Sequence, residues 1–274
     1  MKRLFTAALV AALSFVAAHA QAPDNQVPGK EVARTDDVVF RQIDEHTWVG
    51  TGNQMFNESL YLVEGSEKAV LIDAGTKIAN LDKIVASITK KPVMLVATHA
   101  HPDHTGSSIN LFPELYLNPG DMKSQFVAAY TGKMKELKDG EVIDLGGRTL
   151  QVVFTPAHTP GSTTFLDASH GYGFSGDSFG SGNLLLSGTF STLKATCEHT
   201  NAVMEKLGIK VLYPGHYFGS NLETRQRLMD EASISARVLS GELKGVVNPQ
   251  DRFGLKYVIS EAGVRINYNE ASVQ

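Results

Sequence analysis

The segment that decides the fold is Thr98-His99-Ala100-His101-Pro102-Asp103-His104, which directly follows the apolar run Val93–Ala97. The apolar run predicts a buried strand. The first two histidines of the segment are two residues apart, so an extended chain points both to one side. Asp103 and His104 follow where we expect the chain to turn into a helix over His104–Leu111. Four side chains of metal-ligand type are therefore predicted at the carboxyl end of a strand, where α/β proteins usually place their sites.

Three further segments place a histidine or an aspartate in a turn that follows a β-rich run. They are Thr155-Pro156-Ala157-His158-Thr159-Pro160-Gly161, Ser175-Gly176-Asp177-Ser178 and Tyr213-Pro214-Gly215-His216. A single histidine or aspartate in such a turn is usually structural. Ligand-type residues at four separate strand ends instead indicate one shared site.

The residue types in these segments favour zinc among the common metals. Imidazole with carboxylate suits Zn²⁺, whereas Mg²⁺ and Ca²⁺ prefer oxygen ligands. The alternatives are a solvated histidine cluster and a zinc-binding protein without turnover. A closed structural zinc site typically uses four ligands, mostly cysteine. Cys197 is the only cysteine of the chain, and its apolar, helix-periodic surroundings predict a buried side chain instead of a ligand.

The amino terminus predicts export. Lys2 and Arg3 precede the apolar stretch Leu4–Ala18, and Ala18-His19-Ala20 matches the small-x-small pattern of a signal-peptidase site. We therefore expect a signal peptide over residues 1–20, a flexible polar leader over 21–36 and one hydrolase domain over 37–274. The mature protein is expected to be secreted, in the periplasm of a bacterium.

Composition limits the possible partners. The formal net charge is −4 with no basic stripe, which argues against binding to nucleic acid. No stretch beyond the signal peptide is long and apolar enough to cross a membrane, so no membrane association is expected after cleavage. A small-molecule substrate is the remaining expectation.

Strand and helix patterns alternate after residue 36 and predict an α/β domain. The order of the runs suggests two sheets packed face to face with helices outside, an αββα sandwich of two similar halves. The predicted strands are Val38–Arg41, Thr47–Val49, Leu60–Val63, Ala69–Asp73, Val93–Ala97, Leu150–Phe154, Thr163–Leu166, Tyr172–Phe174, Val211–Tyr213, Tyr257–Ile259 and Val264–Ile266. The predicted helices are Ile78–Thr89, Gly120–Tyr130, Phe190–Leu207 and Leu222–Leu239.

The ordered set of motifs resembles the metallo-β-lactamase superfamily. The H-x-H-x-D-H motif, a later His, a later Asp and a last His occur here in that family's order, from about Asn57 to His216. Leu71-Ile72-Asp73-Ala74-Gly75 is similar to the family's early strand and turn. The resemblance implies the αββα metallo-β-lactamase fold.

The resemblance also implies a binuclear centre with two Zn²⁺ per chain. The first zinc would be held by His99, His101 and His158, and the second by Asp103, His104 and His216, with Asp177 bridging both. Asp73 would orient one of the ligands, although a plain turn aspartate at a strand end is equally compatible with the sequence.

The implied function is that of a secreted zinc-dependent metallohydrolase that cleaves an ester, lactone, thioester or amide bond with a zinc-bound hydroxide. Zinc lowers the pKa of bound water to about 7, which makes hydroxide available at neutral pH. Asp103 is the predicted catalytic residue, because it can steer the hydroxide or pass on its proton. Tyr217 could donate to an oxyanion, or it could simply pack.

The alternative function is a class B metallo-β-lactamase that hydrolyses β-lactam antibiotics. Pro160-Gly161-Ser162-Thr163-Thr164 resembles those enzymes, and in that alignment Ser178 rather than Asp177 lies near the second metal. The pocket walls are predicted to be Met55, Phe56 and the stretch Phe179–Leu186.

Overall fold

The computed structural model of the protein describes residues 27–274. The predicted signal peptide, residues 1–20, and residues 21–26 of the predicted leader lie outside the described residues. Within 27–274 no helix has the length and apolar character needed to span a bilayer.

The first sheet has eight strands in chain order. Strands β1 to β5 form an antiparallel meander, and β5 to β8 run parallel, with helix α1 (Leu81–Ile88) crossing between β5 and β6. The strands are β1 (Lys30–Arg34), β2 (Val38–Asp44), β3 (Thr47–Gly52), β4 (Ser59–Glu64), β5 (Ala69–Ile72), β6 (Val93–Val96), β7 (Glu114–Leu117) and β8 (Lys133–Glu136).

The second sheet has six strands in the order β15-β14-β12-β11-β10-β9, and a small third sheet has the order β13-β18-β17-β16. Strands β12 and β14 are parallel and are joined through helix α2 (Phe190–Leu207). Helix α3 (Arg225–Leu239) follows β15. The strands are β9 (Val142–Asp144), β10 (Thr149–Phe154), β11 (Thr163–Asp167), β12 (Tyr172–Gly176), β13 (Leu184–Leu185), β14 (Val211–Pro214), β15 (Glu223–Thr224), β16 (Val246–Val247), β17 (Tyr257–Glu261) and β18 (Val264–Tyr268).

Three apolar layers hold these elements together, and strand β4 shows how. Its residues alternate between faces: Tyr61 and Val63 pack between the two large sheets, whereas Leu60 and Leu62 pack outward with α1. Helices α2 and α3 and the third sheet cover the outer face of the second large sheet. The architecture is the predicted αββα sandwich.

Helix α2 follows directly from its local sequence. Thr189 caps the amino terminus by accepting a hydrogen bond from the backbone N–H of Thr192, and Gly208 ends the helix with φ 70°. Leu193 and Cys197 are among the residues buried on its inner face. The predicted bounds of the helix and the burial of the cysteine are confirmed.

Each predicted strand overlaps an observed one, but two helix predictions are wrong. Residues 120–130 form successive turns in which side chains such as Ser124 accept backbone N–H groups and compete with helical bonding. Over His104–Leu111 only Ser107–Leu111 is helical, as a 3₁₀ turn. The backbone N–H groups of Gly106 and Ser107 donate to the loop carbonyls of residues 75 and 76, so they are not available for an α-helix.

Short strands β7, β13 and β16 were not predicted, and three further differences from prediction have a clear physical cause. Lys30–Arg34 lies within the predicted flexible leader but forms strand β1, paired antiparallel with β2. Strand β8 was not predicted, because three of its four residues are charged, a composition that is common in edge strands but lacks the apolar run by which a strand is recognised. Helix α3 begins at Arg225 instead of Leu222, since Glu223 pairs with β14 and Thr224 is the amino-terminal cap.

Candidate metal centre

The predicted ligands converge from four strand ends of both large sheets. The segment 98–104 follows β6 of the first sheet. His158, Asp177 and His216 follow β10, β12 and β14 of the second sheet. All seven predicted ligands therefore lie at one end of the sandwich, with His99 and His104 almost fully buried.

One group of ligand atoms comprises His99, His101 and His158. The Nδ1 atom of His101 lies 3.1 Å from Nε2 of His99 and 2.8 Å from Nε2 of His158. We call these three residues the first triad.

A second group comprises Asp103, His104 and His216, which we call the second triad. Oδ2 of Asp103 lies 3.4 Å from Nε2 of His216 and 3.8 Å from Nε2 of His104.

Asp177 lies between the two triads. Its Oδ2 is 3.7 Å from Nε2 of His158 in the first triad and 3.4 Å from Nε2 of His216 in the second. Its Oδ1 is 3.7 Å from Nε2 of His104. One carboxylate therefore faces ligand atoms of both triads.

The hydrogen bonds of three imidazoles leave Nε2 as the nitrogen that can bind a metal ion. Nδ1 of His158, His104 and His216 donates to the Leu185 carbonyl, the Asp73 carboxylate and the Phe56 carbonyl at 2.8, 2.8 and 3.0 Å. In a neutral imidazole the other nitrogen, Nε2, is then an acceptor with a free lone pair.

Two buried atoms in the cluster make the case for a cation. Nε2 of His104 and Oδ1 of Asp177 have no hydrogen-bond partner. Buried polar atoms without partners are costly, and a metal ion between converging lone pairs would satisfy both. The residues present therefore fit a metal ion.

Asp73 orients the ligands, as the resemblance implied. It has a left-handed backbone with φ 65°, and its carboxylate accepts from Nδ1 of His104 and from the Thr98 hydroxyl, each at 2.8 Å. Because the Thr98 hydroxyl donates its hydrogen to Asp73, its oxygen acts as the acceptor of a hydrogen bond from Nδ1 of His99, 3.1 Å away. Asp73 thus fixes one ligand of each triad, one of them through Thr98.

Burial and charge separate the two triads. Burial, followed by neighbouring imidazoles, holds the pKa of His99 well below its usual range and lowers that of His101 to about 4.

In the second triad, burial also acts to lower the pKa of His104, but the carboxylates of Asp103, Asp73 and Asp177 outweigh it and raise the value to about 9. For Asp103, burial acts to raise the pKa, but His104 and His216 outweigh it and lower the value to about 2. The imidazoles of His99 and His101 are therefore ready to ligate at neutral pH, whereas His104 and His216, whose pKa values are raised mainly by neighbouring carboxylates, must each lose a proton.

Sequence reasoning missed Asp121, which ties two ligand loops together. Its carboxylate accepts from the Ala100 backbone N–H at 2.9 Å, and from the Thr159 hydroxyl and the Gly161 N–H at 2.8 Å each. Ala100 lies between two ligands, and Thr159 follows a third. The available signal was an aspartate in a Pro-Gly turn after a strand, which is usually read as an ordinary turn residue.

Two other predicted candidates point away from the ligands. The Ser178 hydroxyl is buried and lies 2.8 Å from the Thr155 hydroxyl. The Tyr217 hydroxyl donates to the Gly219 carbonyl at 3.1 Å, and its ring packs against Tyr213. Tyr217 therefore packs instead of facing a substrate.

A cavity of about 500 Å³ opens above the two triads. Met55 and Phe56 form part of its wall, as predicted, and so do four residues of the stretch Phe179–Leu186: Gly180, Ser181, Asn183 and Leu185. Its volume is in the range that binds drug-sized molecules.

The sequence matches the family described as the Metallo-beta-lactamase superfamily over residues 55–216, and the chain belongs to that family. Together with the ligand cluster, this membership makes the protein a metal-dependent hydrolase.

Known proteins with related sequences carry different activities. The human protein named Acyl-coenzyme A thioesterase MBLAC2 is 27% identical over 202 residues, which cover 58% of this chain and 72% of the relative. Bovine mitochondrial Persulfide dioxygenase ETHE1 is 30% identical over 224 residues, covering 73% and 82%. Among solved structures, a metallo-beta-lactamase from Erythrobacter litoralis has a TM-score of 0.59 at 16% identity, covering 76% of this chain and 100% of that chain.

Proposed function

We propose that this protein is a two-zinc hydrolase that cleaves a carboxylic thioester or ester. The observation that carries the proposal is the position of Asp177, within 3.7 Å of His158 in one triad and of His104 and His216 in the other. A carboxylate shared in this way suits two metal ions side by side. The nitrogen and oxygen donors without cysteine suit zinc.

A zinc ion bound here would polarise a substrate carbonyl and lower the pKa of a water molecule. The chain's own groups then orient the reactants. Asp103 lines the cavity and is held ionised by its histidine neighbours, so its carboxylate can accept a hydrogen bond from an attacking water molecule. Asp73 and Asp121 hold the ligand loops in place and need not touch the substrate.

The relatives support hydrolysis of a thioester more than of a β-lactam. Two kinds of relative are named as thioesterases, one as an acyl-coenzyme A thioesterase and the other as an atrochrysone carboxyl ACP thioesterase. The β-lactamase alternative needs Ser178 near the second metal, but its hydroxyl bonds to Thr155 instead. A persulfide dioxygenase is also among the relatives. The second triad supports the two-metal hydrolase for this chain.

We also propose that the mature chain starts at Gln21 and acts outside the cytoplasm, which the sequence pattern of residues 1–20 supports. The measurement is the mass of the amino-terminal peptide from protein expressed with its own leader. A peptide that still contains Met1 would exclude cleavage.

The function is tested by metal analysis and hydrolysis on the same preparation. We expect two zinc ions per chain in protein never exposed to chelator, together with thioester or ester hydrolysis that chelation abolishes. His101→Ala should lose activity, whereas His199→Ala, at an exposed position of α2, is the matched control and should not. Absence of any bound transition metal would refute the proposal. Oxygen consumption with a persulfide, without ester or thioester hydrolysis, would point to dioxygenase chemistry instead.

A further inference from the structure

Four phenylalanines line the cavity walls away from the ligands. Phe56, Phe126, Phe218 and Phe253 come from four separate loops and line the cavity together. The first, second and fourth are 73%, 41% and 65% exposed, values that are unusual for such a large apolar side chain. Exposed apolar residues that converge on one cavity mark a binding surface.

Two of these residues contact the ligand cluster directly. The Phe126 ring lies edge-on to the His101 ring, with centroids 5.7 Å apart. The Phe56 carbonyl accepts from Nδ1 of His216, and its backbone has the left-handed φ of 56°. A hydrogen bond to a ligand thus fixes the backbone that carries an exposed ring, which places that ring at the reaction site.

In the described part of the chain, the cavity offers no positively charged side chain to a negatively charged substrate group beyond the ligand cluster. Among the residues of 27–274 that line it, none is lysine or arginine. Its neutral polar side chains are Ser181, whose hydroxyl oxygen accepts from the His216 backbone N–H, and Asn183, whose side-chain oxygen accepts from Asn267, and neither carries a positive charge. A carboxylate that is remote from the scissile bond would therefore be desolvated against aromatic rings without a positively charged partner to offset the cost.

We propose that the substrate's acyl part is uncharged and apolar, an alkyl chain of about six to ten carbons or an aromatic ring, a size that suits the cavity volume. Phe56, Phe126 and Phe253 are the residues that select it. The metal cluster would hold the reacting carbonyl, and the rings would hold the rest of the acyl group. This inference rests on the proposed function, since it names the substrate class of the same site.

The first test compares two thioesters that differ only at the far end of the acyl group. Octanoyl and suberoyl thioesters of N-acetylcysteamine share the leaving group, and the terminal methyl of one is a carboxylate in the other. We expect kcat/KM to favour the octanoyl thioester by at least about 10-fold, because a buried carboxylate without a positively charged partner is strongly disfavoured. Equal values, or a preference for the suberoyl thioester, would overturn the inference while leaving the hydrolase function intact.

The second test removes the rings one at a time. Phe56→Ala keeps the backbone carbonyl that bonds to His216, so it isolates the ring. Each of Phe56→Ala, Phe126→Ala and Phe253→Ala should lower the ratio of octanoyl to acetyl kcat/KM by about 3- to 10-fold, as partial loss of apolar contact predicts. Met229→Ala, a partly exposed apolar residue on α3 outside the cavity lining, is the control and should leave the ratio unchanged. Unchanged ratios in all three cavity variants would contradict the proposal.

A binding measurement separates this inference from the proposed function. Calorimetry on the purified holoprotein compares 2-octanone with 7-oxooctanoate, which have the same chain and ketone but differ in the terminal group. We expect only the neutral ketone to bind, and Phe56→Ala to weaken its binding. If no ester or thioester is hydrolysed, the proposed function fails, but this comparison still decides whether the cavity selects apolar groups. Equal or tighter binding of the oxo acid would overturn the inference.

Discussion

Replacement of Asp177 by alanine is the perturbation that most directly tests a shared metal ligand. The variant removes the carboxylate that faces both triads and leaves the three imidazoles of the first triad in place. We therefore expect Asp177→Ala to retain one tightly bound metal ion, at His99, His101 and His158, and to lose the second.

The expected magnitude follows from the distances around the carboxylate. The two oxygens of Asp177 lie 3.4 to 3.7 Å from the Nε2 atoms of His104, His158 and His216. Loss of a group that only orients a ligand costs about 10- to 100-fold in metal affinity or activity, and loss of a direct ligand should cost at least as much. A 100-fold loss in kcat corresponds to about 2.7 kcal/mol of activation free energy.

The assay measures zinc stoichiometry after equilibration with a weak chelator, together with kcat, in Asp177→Ala and in Ser178→Ala. Ser178 is the matched control, because it is the next residue in the same loop and its hydroxyl bonds to Thr155 instead of facing the ligands. The control should keep two metal ions and most of its turnover. Two tightly bound zinc ions and near-normal kcat in Asp177→Ala would refute the bridging assignment. A larger loss in the Ser178 variant would favour the β-lactamase alternative.

Three other substitutions give separate tests. Asp121→Ala should lower zinc affinity by about 10- to 100-fold in a chelator competition, because it frees two ligand loops, and unchanged affinity would argue against that role. Gly215→Ala should disrupt the second metal, because its Cβ would lie 2.3 Å from Oδ1 of Asp177, and an unaltered metal content would contradict this. Burial and the neighbouring Glu223 raise the pKa of Glu231, so the stability it contributes is present below the usual glutamate pKa and is lost as pH rises through the raised value. In the unaltered protein the free energy of unfolding should therefore decline by up to about 1.4 kcal/mol per pH unit above pH 5, and Glu231→Gln should flatten this decline. Urea titration at several pH values measures the slope, and an unchanged slope in the variant would exclude this role of Glu231.

The parts of the site that the sequence predicts are those whose information is local. The spacing of His99 and His101 after an apolar run places two ligands on one side of a strand end without knowledge of the rest of the chain. Helix α2 was predictable for the same reason, because Thr189 and Gly208 mark its ends. The overlap of predicted and observed strands likewise reflects apolar runs that both faces of each sheet bury.

The parts that could not be predicted depend on groups distant in the chain. The carbonyls of Leu185 and Phe56 orient His158 and His216, but a backbone carbonyl has no side-chain signature. The turns over residues 120–130 form where a helix was expected. There Asp121 spends its carboxylate on ligand loops that only the folded chain brings near.

The origin of the ligands also couples metal binding to folding. The segment 98–104 comes from the first sheet, whereas His158, Asp177 and His216 come from the second. The unfolded chain can present the local His-x-His motif but neither complete triad, so the folded state binds metal much more tightly than the unfolded state. A metal ion at 100 times its dissociation constant then stabilises the folded state by about 2.7 kcal/mol. Because each triad joins both sheets, this free energy acts on the packing of the two halves of the sandwich against each other, and chelation should lower the melting temperature of the whole domain in one transition.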